Sequence, residues 1–270
     1  MPTIAQLESH LGALSGAVLG YSGGVDSAVL AVVGTRALGP SRFLAVIGRS
    51  ASYPAVQWQT ARDLAARFQV PILEVNTEEL ADPDYVANPL NRCYFCKSEL
   101  WRVLGAVAAD RGFEFLLDGT NLDDLTEHRP GAAAGAARRV HSPFVDLGWT
   151  KADVRGAARR LGLPTWDAPA APCLSSRIRY GLPVTAERLR QVELAEGVIR
   201  ECGVLGDIRV RHLGDKARVE VLAAERPLVE RRWEEVAGRL CSLGFAEAEL
   251  DASGYRRGSL LPIASGPSGA

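Results

Sequence analysis

Ala17-Val18-Leu19-Gly20-Tyr21-Ser22-Gly23-Gly24-Val25-Asp26-Ser27 is the stretch that decides the fold. Its first five residues are apolar or small and read as a buried strand, and residues 27–38 continue as a helix. Two glycines between them let the backbone approach a phosphate without side-chain obstruction. The N–H groups of such a loop, with the start of the helix, present partial positive charge to an anion. Ser22 and Ser27 add hydroxyl donors, and Asp26 is placed to share a Mg²⁺ with phosphate oxygens. No lysine follows the glycines, so this is not the G-x-x-x-x-G-K-[ST] loop that grips β- and γ-phosphates.

Outward from that stretch, strands at 43–47, 70–75 and 114–117 alternate with helices at 54–68 and 98–111. This alternation predicts an α/β fold, a parallel sheet with helices on both faces. Ligands of such sheets collect beyond the carboxyl ends of the strands. Asp118-Gly119-Thr120-Asn121-Leu122-Asp123-Asp124 falls there, after the fourth strand, either as a second nucleotide-facing motif or as an Asx turn that caps a helix. Arg129 follows closely and is a candidate to neutralise phosphate charge.

The rhythm changes near residue 165. A loop at 167–172 precedes a helix at 185–201, strands at 207–213 and 216–222, a helix at 227–243 and a strand at 246–250. That order predicts a small C-terminal α+β domain. The expected organisation is therefore an anion-binding domain at 1–166, an interdomain loop at 167–180 that carries Cys173, the α+β domain at 181–261 and a disordered tail at 262–270.

Composition narrows the classes. The chain has 270 residues, 47% hydrophobic and 23% charged, which is globular rather than fibrous or disordered. Lys+Arg number 31 against 32 Asp+Glu, a net charge of -1, so bulk charge offers no nucleic-acid stripe. No apolar run reaches membrane-spanning length, and the N-terminus does not read as a secretory signal. Five cysteines, an odd number, are expected as reduced thiols in the cytoplasm.

Cys93-Tyr94-Phe95-Cys96 is a C-x-x-C pair placed just before the helix at 98–111, and Cys173 sits in Ala171-Pro172-Cys173-Leu174-Ser175-Ser176-Arg177. Such a pair shares a metal, forms a disulfide or runs redox exchange. A second pair for zinc is missing, and the pair does not follow the first strand as in a thioredoxin-like site. Three thiolates are one short of the four that usually hold a cubane iron–sulfur cluster, which would leave one iron open. Cys202 and Cys241 read as ordinary half-buried thiols, and Trp101 as a core residue.

The S-G-G-x-D-S string resembles the pyrophosphate loop of the PP-loop ATPases, which split ATP between its α- and β-phosphates. Residues 88–97 (N-P-L-N-R-C-Y-F-C-K), 118–121 (D-G-T-N), 171–178 (A-P-C-L-S-S-R-I) and 254–260 (G-Y-R-R-G-S-L) together resemble the LarE family over nearly the whole chain. The resemblance implies an ATP-dependent sulfurtransferase. Its substrate would be pyridinium-3,5-biscarboxylic acid mononucleotide, whose carboxylates are adenylated and converted to thiocarboxylates for the nickel-pincer nucleotide cofactor. ATP would lie on Ser22, Gly23, Gly24, Asp26, Ser27, Gly119, Thr120, Asn121 and Arg129, with Mg²⁺. One branch of the family sacrifices a single cysteine, at the position of Cys173. The other holds a [4Fe-4S] cluster on three cysteines, and Cys93, Cys96 and Cys173 match that branch, with an external sulfide source. The resemblance also implies a homo-oligomer, a hexamer in the family.

A substrate with a phosphate and two carboxylates calls for cations. Arg209 and Arg211 are two apart on a predicted strand and share a face, and both match substrate-pocket arginines of the family. Glu220 on the next strand and Glu196 on the preceding helix are placed to join them, as are Ser176 and Arg177 beside Cys173. A salt-bridged, exposed strand pair is the alternative for the two arginines. Rival activities are a PP-loop enzyme that thiolates tRNA, an ammonia-using synthetase, and a nucleotide or iron–sulfur sensor without catalysis.

Overall fold

The computed structural model describes residues 2–126, 130–169, 171–256 and 259–260. Two compact units emerge: Met1–Tyr85 with Asn91–Ala171, and Val86–Leu90 with Pro172–Ala270. In chain order the helices and strands are α1 (Ile4–Gly12), β1 (Ala17–Gly20), α2 (Val25–Leu38), β2 (Phe43–Arg49), α3 (Ala55–Arg67), β3 (Ile72–Asn76), α4 (Pro83–Val86), α5 (Arg92–Arg111) and β4 (Phe115–Leu117). They continue with α6 (Leu122–Leu125), α7 (Pro130–Ala137), α8 (Pro143–Asp146), α9 (Lys151–Leu161), α10 (Ala186–Arg200), β5 (Ile208–His212), β6 (Lys216–Val221), α11 (Arg226–Glu230), α12 (Trp233–Ser242) and β7 (Glu247–Leu250).

The first unit is the α/β fold that the alternation predicts. Its four strands run parallel in the order β3-β2-β1-β4. Successive side chains of a strand point to opposite faces, so one sheet feeds two cores. Ala17, Leu19, Ala45 and Ile47 pack with Val29, Leu30 and Val33 of α2 and Val154 and Ala157 of α9. Val18, Leu44 and Val46, one residue out of phase, pack with Trp101, Leu104 and Ala108 of α5. Each fully buried residue of this size contributes roughly 1.5–3 kcal/mol of transfer free energy, which fixes both helical layers to the sheet. Trp101 is only 2% exposed and belongs to this core.

Helices of the unit start and stop at local signals. Thr150 caps α9 through a capping box with Asp153, and Gly162 ends it in the left-handed region at φ 74°. The C-x-x-C pair lies inside α5 rather than before it, because no breaker separates Asn91 from Ser98 and the helix begins at Arg92.

In the second unit β5 and β6 are antiparallel and β7 joins β6 in parallel. Val210, Val219 and Val221 pack against Ala195, Val198 and Ile199 of α10 and Val236 and Leu240 of α12. The helix expected at 227–243 is two, α11 and α12, broken at 231–232. Val86–Leu90 groups with this unit through Asn88, whose fully buried side-chain amide donates to the carbonyls of Arg179 (2.9 Å) and Leu182 (2.8 Å). Cys202 is half-buried, whereas Cys241 is exposed because α12 turns Val236 and Leu240 inward instead. The tail expected at 262–270 lies outside the described residues. Among the described residues no helix is long and apolar enough to cross a membrane.

Candidate functional site

The loop between β1 and α2 is built for a group that takes hydrogen bonds from the backbone. Gly23 sits at φ 70°, and a Cβ there would stand 2.7 Å from Cβ of Ala61, so only glycine fits. Gly24 is the N-cap of α2 and makes no side-chain cap bond, so the first-turn N–H groups of this 14-residue helix have neither an intrahelical acceptor nor a cap. Ser27 braces the turn: its Oγ accepts from the N–H of Ser22 (3.2 Å) and donates to the carbonyl of Gly24 (3.1 Å). Tyr53 Oη and Gln57 Nε2 donate to the carbonyl of Ser22 from the far side, at 2.9 and 3.1 Å.

Asp26, on the first turn of α2, is where the second motif arrives. Asn121 Nδ2 donates to its Oδ1 at 3.1 Å. The same Asn121 caps α6, its Oδ1 accepting from the N–H groups of Asp123 and Asp124. Asn121 is thus the helix cap of the Asx-turn reading, and its remaining amide group is bonded to Asp26 at the start of α2. Gly119 makes the approach possible, since a Cβ there would lie 2.9 Å from Cβ of Asp26 and 3.1 Å from the N of Ser27. Thr120 is turned aside, with its N–H and hydroxyl both donating to Asp118, which also takes the hydroxyl of Ser142 at 2.7 Å. Arg129 lies outside the described residues.

Lys151 is the residue that sequence reasoning misses. Its Nζ forms an ion pair with Asp26 Oδ2, and both side chains are partly open to solvent. Two signals mark it: the Thr150-Lys151-Ala152-Asp153 capping box fixes a helix start, and a cation in the first turn opposes the helix dipole. A lysine held there against the dipole has an anion to meet.

Cys93 and Cys96 stand three apart in the first turn of α5 and share a helix face, two soft donors side by side. Helix α7 lies against the same turn. A Cβ at Gly131 would be 3.3 Å from the carbonyl oxygen of Cys93 and 2.9 Å from Cγ of Lys97. Among the described residues no group of three or more His, Cys, Asp or Glu side chains is gathered to hold a metal ion. Two of the three cysteines that the resemblance names as cluster ligands therefore share one helix face, and Cys173 belongs to the other unit.

In the second unit the predicted arginine pair is buried rather than exposed. Arg209 and Arg211 are each 5% exposed on β5, and Glu220 on β6 is fully buried. Arg211 forks onto Glu220 through Nε (2.9 Å) and Nη2 (2.8 Å) and donates to the carbonyl of Ser176 (3.1 Å). Arg218 (3.1 Å) and the Ser259 hydroxyl (2.8 and 3.1 Å) complete the shell of Glu220. Arg209 pairs with Asp207 at 3.2 Å and lies 4.9 Å over the ring of Tyr255. Burial first, then the neighbouring Arg177 guanidinium, pushes Arg209 below the usual guanidinium range. Cys173 caps the short 3₁₀ turn Leu174–Arg177 and is half-buried. Ser176 donates to its carbonyl, while Arg177 pairs with Glu196.

Comparison with known proteins follows the same lines. A family model described as NAD synthase matches residues 4–84, the segment with the glycine loop. An uncharacterized protein of Synechocystis sp. is 38% identical over 262 residues, spanning 95% of this chain and 96% of its own. The pyridinium-3,5-bisthiocarboxylic acid mononucleotide synthase of Lactiplantibacillus plantarum is 30% identical over 256 residues, 95% of this chain and 92% of its own. The chain belongs to the LarE family. A glutamine-hydrolyzing GMP synthase of Aeropyrum pernix is 30% identical over 203 residues, which cover 68% of this chain and 39% of that one. Across these relatives this LarE-family chain is a PP-loop, ATP-using synthase.

Proposed function

We propose that the protein adenylates the carboxylates of pyridinium-3,5-biscarboxylic acid mononucleotide and replaces a carboxylate oxygen with sulfur. The observation that carries this reading is the likeness to the L. plantarum synthase along 95% of the chain. The glycine loop supports the first half-reaction. A substrate carboxylate oxygen attacks the α-phosphorus of ATP, the α–β bridging bond breaks, and pyrophosphate leaves. The uncapped N–H groups of α2 meet that leaving group, donors fixed in place before charge develops. Asp26 suits Mg²⁺, which is usually held by one or two carboxylates plus phosphate oxygens, and the bound ion would offset pyrophosphate charge. Lys151, released from Asp26 on metal binding, becomes a second cation for the phosphates.

In the second half-reaction a sulfur nucleophile attacks the acyl carbon and AMP departs. Cys93, Cys96 and Cys173 are the proposed sulfur-bearing set, and a [4Fe-4S] cluster on these thiolates would supply a replaceable sulfide. Arg209, Arg211 and Ser176 are proposed to receive the phosphate and carboxylates of the mononucleotide, with Glu220 setting the direction of Arg211. We further propose a cytoplasmic homo-oligomer served by a separate sulfide source.

The test is anaerobic turnover with ATP, Mg²⁺, the biscarboxylic mononucleotide and sulfide. AMP and pyrophosphate should form together with a thiocarboxylate product that exceeds enzyme, and Cys173 should keep its mass. ADP and orthophosphate as products would overturn the adenylation. Dehydroalanine at position 173, with product capped at one thiol per chain, would make Cys173 the consumed donor. Thiolation of tRNA instead of the mononucleotide would move the activity to the rival class.

A further inference from the structure

Their charge and their place beside Cys173 and on the preceding helix make Arg177 and Glu196 candidates for the substrate pocket, yet the geometry turns both of them toward the polypeptide. Arg177 is 4% exposed. Its Nε donates to Glu196 Oε1 at 2.8 Å and its Nη2 to Oε2 at 3.2 Å, a two-point fork that neutralises the guanidinium. Its Nη1 is directed at the carbonyl oxygens of Pro172 and Cys173, the latter at 3.0 Å, and at the Ser176 hydroxyl oxygen, also at 3.0 Å. Glu196 in turn accepts the N–H of Val210 at 3.2 Å, on the edge of the sheet.

The carbonyl of Cys173 is the point where these bonds converge. It accepts from the N–H of Ser176 (3.1 Å), the Oγ of Ser176 (2.7 Å) and the Nη1 of Arg177. Three donors on one carbonyl leave the Cys173 backbone little freedom, and through α10 and β5 that backbone is tied to the core of its unit. All three nitrogens of Arg177 are directed at Glu196 or at the turn that carries Cys173, so its bonds go to holding that turn.

We infer that Arg177 and Glu196 are positioning residues that fix the backbone of Cys173, and so the direction of its thiol, rather than ligands of the substrate anion. The inference rests on the proposed sulfur transfer for its purpose, but its geometry and its first readout do not. In the proposed transfer the thiol of Cys173 would help to hold the group that supplies the sulfide, so a misplaced thiol misplaces that group, and a misplacement of about 1 Å costs on the order of 10²-fold.

The test compares wild type with Arg177→Met/Glu196→Met and with Ser176→Ala. Replacing a buried ion pair by apolar side chains of similar volume is often neutral for stability, so the double variant should fold. The first readout is the rate at which iodoacetamide alkylates Cys173, followed by peptide mass so that the other cysteines do not contribute. The double variant should alkylate about fivefold faster, the change that a local opening easier by about 1 kcal/mol gives. Ser176→Ala, which removes one of the three donors, should fall between it and wild type. The second readout is steady-state thiolation by the double variant: kcat should fall about tenfold or more with KM for the mononucleotide unchanged. Unchanged alkylation in both variants, or a rise in KM of the double variant at constant kcat, overturns the inference. If wild type forms no thiocarboxylate, the proposed reaction fails while the alkylation rates still decide the role of Arg177.

Discussion

Residues 22–27 of the first unit and the β5–β6 face of the second both concentrate hydrogen-bond donors, but they are made of different material. Around Gly23 and Gly24 the polarity belongs to the backbone: a left-handed glycine, uncapped helix N–H groups and one carboxylate. Around Arg209, Arg211 and Glu220 it belongs to long side chains that have been desolvated and paired. The few side chains of the backbone site store little energy, so replacing them should change chemistry more than stability, whereas its left-handed glycine carries the structural demand. The side-chain site holds buried charge, so removing one partner should unfold the unit before its chemistry is felt. Each of the following expectations is a way to break that contrast.

The largest effect is expected at Asp26. Asp26→Ala removes the carboxylate that Asn121 and Lys151 converge on, and with it the proposed Mg²⁺ ligand. Release of AMP and pyrophosphate should fall by on the order of 10³ or more, while Tm stays within the range of a surface substitution. A large drop in Tm, or full retention of AMP release, would mean that the loop is not the place where ATP is cleaved.

Glu220 tests the other half. Glu220→Leu leaves Arg211 buried with no carboxylate and should cost about 3–5 kcal/mol in denaturant unfolding of the chain. Arg211→Met/Glu220→Leu removes both charges and should recover most of that loss. Recovery is the informative result, because it separates the cost of a stranded charge from the worth of the pair. Additive losses would mean that the two side chains do not act as a unit.

Gly23→Ala probes how much the backbone site depends on its one left-handed residue. The added Cβ meets Ala61 at 2.7 Å, and φ 70° suits alanine poorly. About 2 kcal/mol of stability should be lost, from strain and overpacking together. Wild-type stability in Gly23→Ala would show that α3 yields at Ala61.

The contrast also explains what a sequence can tell. The strand–loop–helix at 17–38 is legible because glycine, helix start and apolar run are local signals, and the parallel sheet follows from their repetition. Asn121 is legible as a cap, but its bond to Asp26, 95 residues away, depends on β1 and β4 lying side by side. Lys151 escapes notice because its partner is 125 residues distant and only a capping box marks its helix. The burial of Arg209 and Arg211 is not legible at all. Alternation on β5 marks their shared face, but Glu220, Arg218, Tyr255 and Ser259, which cover that face, come from later in the chain. Covering a charged strand face is a tertiary event, and the pattern of a single strand does not record it.

The smallest effect concerns a group that belongs to neither site. His212 ends β5 and is 3% exposed. Its Nδ1 accepts the N–H of Gly214 at 3.3 Å, so the proton sits on Nε2, 3.0 Å from Gln191 Oε1. The Phe245 ring packs at 5.0 Å. Burial, then the positive charge of Arg188, lowers its pKa from 6.5 to about 4, with Asp215 opposing. The sign follows: the unfolded chain takes up a proton near pH 6.5, whereas the folded chain resists it until about 4. This contribution to stability is complete above pH 6.5, declines below it and is fully lost once the pH has fallen through about 4. Between about pH 7 and about pH 5.5 the loss should amount to about 1 kcal/mol, or roughly 2–4 °C in Tm. His212→Asn, which does not titrate, should flatten the Tm profile relative to wild type over that interval by the same amount. Parallel profiles for the two proteins would mean that His212 takes up its proton as readily in the fold as in the unfolded chain. The end of β5 would then be open to water at the face opposite the two arginines.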